Sequence, residues 1–234
     1  MGDQPALKVG IVVFPGSNCD RDAQHAAQLA GAETQLLWHE TPDLGGSDAV
    51  ILPGGFAHGD YLRAGAIARF SPIMGPVREF AARGGLVLGI CNGFQVLTEA
   101  GLLPGVLRRN ATLRFEHRWV TLAVENRDTP FTRLVPQGKT LHMPIAHGEG
   151  NYWLPDDRLD ALERSGQVVF RYTSPEGNPN GSARNIAGVT DERGRVCGLM
   201  PHPERASEEL LGSDDGMLLI RSLVESMAKI EAAA

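Results

Sequence analysis

A cysteine sits between two glycines at Gly89-Ile90-Cys91-Asn92-Gly93, inside the stretch LVLGICNGFQVLTEAGLL. The β-forming run before it and the helix-forming run after it predict a strand, a tight turn and a helix. In that context a G-x-C-x-G pattern raises a nucleophile on an elbow. Glycines two residues to either side relieve crowding where strand and helix meet, and let the central residue adopt a strained backbone. The positive end of a helix dipole favours thiolate over thiol. The N–H of Asn92, at the start of that helix, has no intrahelical acceptor and is available to an oxyanion. A competing reading is a small buried hydrophobe between two unrelated glycines, and this stretch by itself leaves both open.

A thiol nucleophile needs a base, and GLMPHPERA offers His202 with Glu204 two residues on. Pro203 biases His202 away from helical geometry, so the two side chains share one side of an extended segment. A carboxylate there would fix the imidazole tautomer and stabilise its charged form. His-x-Glu in isolation equally describes an exposed turn. Six further histidines compete: His25, His39, His58, His117, His142 and His147. His142, His147 and Glu149 fall in HMPIAHGEG, but their spacing matches no zinc pattern, and a polar loop lining a substrate pocket is the better reading. No metal site is expected. In ILPGGFAHGDYLRAGAIARF, two glycines directly after a strand let backbone N–H groups face a ligand, so Gly54 or Gly55 could supply a second oxyanion donor. A plain turn is the alternative. This loop lacks the G-K-[ST] ending of a phosphate loop and no GxGxxG follows the first strand, so neither points to ATP or dinucleotide binding.

These residues need a scaffold, and the apolar segments supply one. In the first half, KVGIVVF (8–14), TQLLWHE (34–40), DAVILPGG (48–55) and LVLGI (86–90) read as strands. Between and after them, residues 20–32, 71–85 and 93–103 read as helices. Short continuous apolar runs suit strands covered on both faces, and their alternation with helices implies βαβ units and a parallel sheet. The second half reads as successive strands, at 117–126, 140–150, 167–182 and 185–203, with a hairpin about Asp191-Glu192-Arg193-Gly194. Residues 213–230 read as a closing helix, which Ser213 could cap and whose positive end Asp214 and Asp215 would favour. The expected fold class is α/β: a flavodoxin-like three-layer sandwich, with a mostly parallel central sheet, helices on both faces and added antiparallel strands in the second half.

The whole chain, 1–234, reads as a single domain, without repeats, low-complexity tracts or long linkers. Its net charge of −6, with no dense Lys/Arg cluster, argues against nucleic acid as a partner. Three widely spaced cysteines suggest neither a disulfide framework nor a CxxC pair and point to a reducing, cytoplasmic setting. The apolar run near the amino terminus is too short for a signal peptide or a membrane span, and no later run is long enough.

The order of a Gly-rich loop, a Cys elbow with Gln95 four residues after the cysteine, and a distal His-x-Glu resembles the class I, or triad, glutamine amidotransferases. Within them the chain is most similar to the small, separately encoded glutaminase subunits of phosphoribosylformylglycinamidine synthases. The segments FPGSNCDRD, GGFAHGDYLRAGAIARFSPI, CNGFQVL, PIAHGEGNY, NPNGS and PHPERA carry the likeness from Val9 to about Ala206. The resemblance implies Cys91 as nucleophile, His202 as general base and acid, and Glu204 as its orienter. It implies an oxyanion hole from the backbone of Gly54 or Gly55 and Asn92, and a glutamine pocket lined by Gln95, Gly148 and Glu149. It further implies glutamine as substrate, no cofactor in this chain, and ammonia delivered to a large synthetase subunit that works with a small accessory subunit. ATP and Mg²⁺ would act on that partner, in de novo purine biosynthesis. Ala57, His58 and Ala64 stand where many members carry Ser, Tyr and Cys, which touches the rim and leaves the triad intact. Two other readings stay open: a flavodoxin-like cysteine hydrolase or redox protein, and a non-catalytic docking module that keeps the fold.

Overall fold

The β-branched run Lys8–Val13 forms β1, and Glu33–Trp38 (β2), Ala49–Leu52 (β3) and Leu86–Ile90 (β4) follow the same logic. In a computed structural model describing residues 7–173 and 177–231, β1, β3 and β4 are central strands. Every residue of β3 and β4 is buried, as continuous apolar strands between two helical layers require. Asp20–Leu29 forms α1, with acidic residues in its first turn and Ala23, Ala26 and Ala27 on its buried face. Met74–Ala82 forms α2 and Asn92–Glu99 forms α3, both shorter than the predicted 71–85 and 93–103.

From β1 the chain steps outward through α1 to β2, returns past β1 to β3, and moves the other way through α2 to β4. Right-handed crossovers taken in opposite directions put α1 and α2 on opposite faces of the sheet. The reversal between β1 and β3 opens a crevice at the carboxyl ends of the strands, where open α/β sheets bind ligands.

The later strands are Glu116–Val124 (β6), Leu141–His147 (β7), Val168–Tyr172 (β9), Ile186–Thr190 (β10) and Val196–Leu199 (β11). Strand β11 pairs parallel with β4, completing a parallel run β2-β1-β3-β4-β11, and the sheet continues antiparallel through β10, β9, β6 and β7. The predicted β10–β11 hairpin is present, Gly188 opposite Leu199. The predicted 167–182 strand is confined to β9; residues 174–176 within it, like 1–6 and 232–234, lie outside the described residues.

Three elements were not anticipated. Val106–Arg108 (β5) and Asn151–Trp153 (β8) pair as a separate two-stranded ribbon, and Asp156–Arg164 forms α4. The closing helix, Met217–Glu231 (α5), packs against α1. Ser213 does not cap it: the helix begins four residues later, and Ser213 Oγ accepts from the Asp215 N–H instead. Asp215 serves tertiary contacts, accepting from the His142 N–H at 2.7 Å and pairing with Lys139 at 2.6 Å. No helix among the described residues is long and apolar enough to cross a membrane.

Candidate active site

Cys91 occupies the position between β4 and α3 with φ 50° and ψ −104°, a conformation that L residues avoid. The surrounding glycines are sterically required. A Cβ on Gly93 would lie 1.9 Å from the Leu52 carbonyl oxygen, and one on Gly89 would lie 2.8 Å from the Gly93 backbone. The Cys91 N–H is fixed to Leu199 O at 2.8 Å, and its sulfur lies 3.6 Å from Ala146 O. The α3 ladder closes with Gln95 N–H on Cys91 O at 3.1 Å, leaving the amides of Asn92 and Gly93 outside it.

Beyond β11 the chain turns so that the His202 N–H meets Pro144 O at 2.9 Å. His202 itself is extended, but Pro203–Arg205 form a single helical turn, so the extended His-x-Glu segment expected from the sequence is bent at Pro203. The bend places Glu204 Oε1 2.6 Å from His202 Nδ1, with both side chains buried. Burial alone would lower the His202 pKa; the Glu204 carboxylate and the Cys91 sulfur outweigh it and hold the imidazole well above its usual value. Nδ1 is engaged, and Nε2 has no hydrogen-bond partner among the described residues.

Gly54 adjoins this pair. A Cβ there would come within 2.6 Å of His202 Cε1, so only glycine lets the loop after β3 lie against the ring. The Gly54 carbonyl accepts the Cys19 N–H at 3.2 Å, and Gly55 bridges to Ser17 with φ 148°. Loops from the ends of β1, β3, β4 and β11 therefore converge, bringing Cys91, Asn92, Gly54, Gly55, His202 and Glu204 together.

The Asn92 side chain is fully engaged. Its Nδ2 donates to Gln95 Oε1 at 2.9 Å and to Asp60 Oδ1 at 3.1 Å, and its Oδ1 accepts the Ala57 N–H at 3.0 Å. Gln95 Nε2 donates to Glu149 O at 2.6 Å, and Glu149 Oε2 accepts the Ala64 N–H at 3.2 Å. Gly148 turns its carbonyl to the Asn110 N–H. Gln95 and Glu149 are thus brought beside the elbow, with Gly148 at the edge. Burial and the neighbouring Glu149 push the Asp60 carboxyl up to about 6.

His142 and His147 do not converge as ligands. His147 is buried and bonded to Asn110 and Asn180, and burial pushes its pKa down to about 3, keeping the ring neutral. His142 is exposed beside Trp119. Sequence reasoning missed Asp60 and Cys19, whose sulfur lies 3.9 Å from His202 Nδ1. Their only local signal is position: each follows a parallel strand, in the loops that border the crevice. A larger hollow of about 640 Å³ near Leu44, Phe80 and Leu86 is at the opposite ends of the strands, away from these groups.

A thiol, an imidazole aligned by a carboxylate, and free amides at a helix start are the parts needed for acyl transfer through a covalent intermediate. Residues 6–214 match the model of the CobB/CobQ-like glutamine amidotransferase domain. Phosphoribosylformylglycinamidine synthase subunit PurQ of Rubrobacter xylanophilus is 59% identical over 218 residues, 93% of this chain and 98% of that protein. The subunit of the same name from Salinibacter ruber is 54% identical over 234 residues, covering 97% of this chain and 100% of that one. Among solved structures, a chain of PurLQS from Thermotoga maritima superposes with a TM-score of 0.87 at 45% identity, covering 95% of this chain and 99% of that one.

Proposed function

Because the chain belongs to the CobB/CobQ-like glutamine amidotransferase domain family, we propose that it is the glutaminase subunit of a phosphoribosylformylglycinamidine synthase. It hydrolyses glutamine to glutamate and ammonia as one catalytic domain. The observation that carries the chemistry is the buried His202–Glu204 pair at 2.6 Å beside a strained Cys91. Neither a redox thiol nor a docking module has use for such a pair.

The Cys91 thiolate attacks the side-chain amide carbon of glutamine. The tetrahedral oxyanion is met by the Asn92 N–H at the start of α3 and by an amide of the Gly54-Gly55 loop. His202, protonated and held by Glu204, gives a proton to the departing nitrogen, and ammonia leaves a γ-glutamyl thioester on Cys91. His202 then takes a proton from water, whose oxygen attacks the thioester and releases glutamate. Gln95 and Glu149 shape the pocket, with Gly148 at its edge. Asn92 locks the elbow to the loop carrying Asp60.

Ammonia released at Cys91 is consumed on a partner. The subunit names of the relatives and the PurLQS match support a complex with a large synthetase subunit and a small accessory subunit. ATP and Mg²⁺ act there to convert formylglycinamide ribonucleotide to formylglycinamidine ribonucleotide, in the cytoplasm. Phe56, Tyr61 and Leu62 in the loop after β3, with Leu113 and Phe115, form an exposed apolar rim by the site and suit contact with the synthetase.

Labelling with a glutamine-analogue electrophile, followed by peptide mapping, tests the assignment. Modification at Cys91 is expected. Modification of Cys19 or Cys197 in its place, or none with the synthetase present, would sink it.

A further inference from the structure

We propose that Cys19, His202 and Glu204 form a binding site for a soft divalent cation such as Zn²⁺, and that its occupation shuts off the glutaminase from behind the imidazole. The inhibitory half of this inference rests on the catalytic role proposed for His202. The site itself rests on geometry.

All three residues are buried, and one ligand atom from each lies within 4.8 Å of the others. A tetrahedral zinc ion with bonds of about 2.3 Å to sulfur and about 2.0 Å to nitrogen sets those two atoms roughly 3.5 Å apart. Cys19 Sγ and His202 Nδ1 stand at 3.9 Å, within a small side-chain rotation of that distance. Glu204 supplies the oxygen. Its Oε1 is bonded to Nδ1, whereas Oε2 is buried with no hydrogen-bond partner among the described residues, an uncompensated acceptor that a cation would satisfy. Thiolate, imidazole and carboxylate together select zinc-like ions over magnesium or calcium.

Access and close approach are also provided. Cys19 and His202 both line a cavity of about 170 Å³ that continues past Gly55 and Phe56. Gly54 makes the cluster possible, since a Cβ there would fall 3.1 Å from the Cys19 sulfur and 2.6 Å from the imidazole. Arg205 lines the same cavity, but its guanidinium is paired with Asp22 at 3.2 Å, which offsets its repulsion of a cation.

The consequence follows from the tautomer. Coordination takes the Nδ1 lone pair and the Cys19 sulfur, and the protons of both go to solvent. The imidazole's remaining proton then sits on Nε2, the nitrogen left for Cys91. A ring with Nε2 protonated and Nδ1 on a metal cannot accept a proton from thiol or water, and the Nδ1–Glu204 bond that aligned it is gone.

Direct binding is read by Cd²⁺ titration of full-length Cys91→Ser protein, following thiolate-to-cadmium charge-transfer absorption. One equivalent with a single-thiolate signal is expected, and it should vanish in Cys91→Ser/Cys19→Ser protein whose circular dichroism is unchanged. In the assembled complex, Cys19→Ser should retain metal-free glutamine-dependent synthesis while its sensitivity to Zn²⁺ falls by about tenfold or more. A cadmium signal that persists without Cys19, or zinc inhibition unchanged by Cys19→Ser, overturns the proposal. Absence of glutamine turnover in the metal-free wild-type complex would instead refute the functional reading, leaving the cadmium titration to decide the site.

Discussion

At the scale of residues, the site is governed by which charged forms burial permits. His202 and His147 are both buried imidazoles pushed in opposite directions: burial lowers both, but Glu204 and Cys91 reverse the effect at His202. For His147, the folded value of about 3 lies below the unfolded value of about 6.5. The unfolded chain therefore binds more protons between those values, and stability present above pH 6.5 is lost as pH falls through 3, by on the order of 5 kcal/mol in full. His147→Gln should be less stable at pH 7.5, yet its melting temperature should vary less between pH 6.5 and 4 than that of the wild type. Asp60 titrates near 6 and is bonded to Asn92 beside the elbow. Asp60→Asn should remove an ionisation near that pH from the kcat/KM profile for glutamine, and a profile identical to wild type would detach Asp60 from the pocket. The elbow and the His-x-Glu pair were legible because their partners are two residues apart. Cys19 was not: its neighbour His202 lies 183 positions away, and no local pattern encodes that contact.

At the scale of elements, the strand-to-helix junctions hold the chemistry in place, and glycines are where they yield least. A Cβ at Gly93 would strike the Leu52 carbonyl at 1.9 Å, so Gly93→Ala should destabilise by about 1–3 kcal/mol or more in urea unfolding and cut activity. Gly75 in α2 is the contrast. A Cβ there meets nothing within 4 Å and φ is ordinary, so Gly75→Ala should stabilise by roughly 0.5–1 kcal/mol with activity unchanged. Strands β1, β3 and β4 were readable as unbroken apolar runs, and the β10–β11 hairpin from its turn. Helix α4 was missed although it carries its own signals. Pro155 precedes it, Asp156 and Asp157 open it, Leu159 and Leu162 share a buried face, and Gly166 follows. The β5–β8 ribbon has only three residues a side, too short for a period to show. The α5 start was misplaced because Ser213, Asp214 and Asp215 look like a cap, whereas Asp215 is spent on β7 and Lys139.

At the scale of the whole molecule, one sheet, of nine strands among the described residues, brings four loop ends to one crevice, and an apolar rim beside it faces outward. Leu62 is 91% exposed, so Leu62→Asp should leave the isolated subunit's unfolding free energy within about 0.5 kcal/mol of wild type while weakening assembly with the synthetase in sedimentation. The fold class was legible because alternation of strands and helices is written along the whole chain. The rim was not, because an exposed leucine and a buried one look the same in sequence. The central claim is that Cys91 releases ammonia which the partner consumes, and the complex carrying Cys91→Ser tests it most directly. Glutamine-dependent synthesis should be abolished while ammonia-dependent synthesis continues at the wild-type rate; loss of both together, or survival of both, would contradict it.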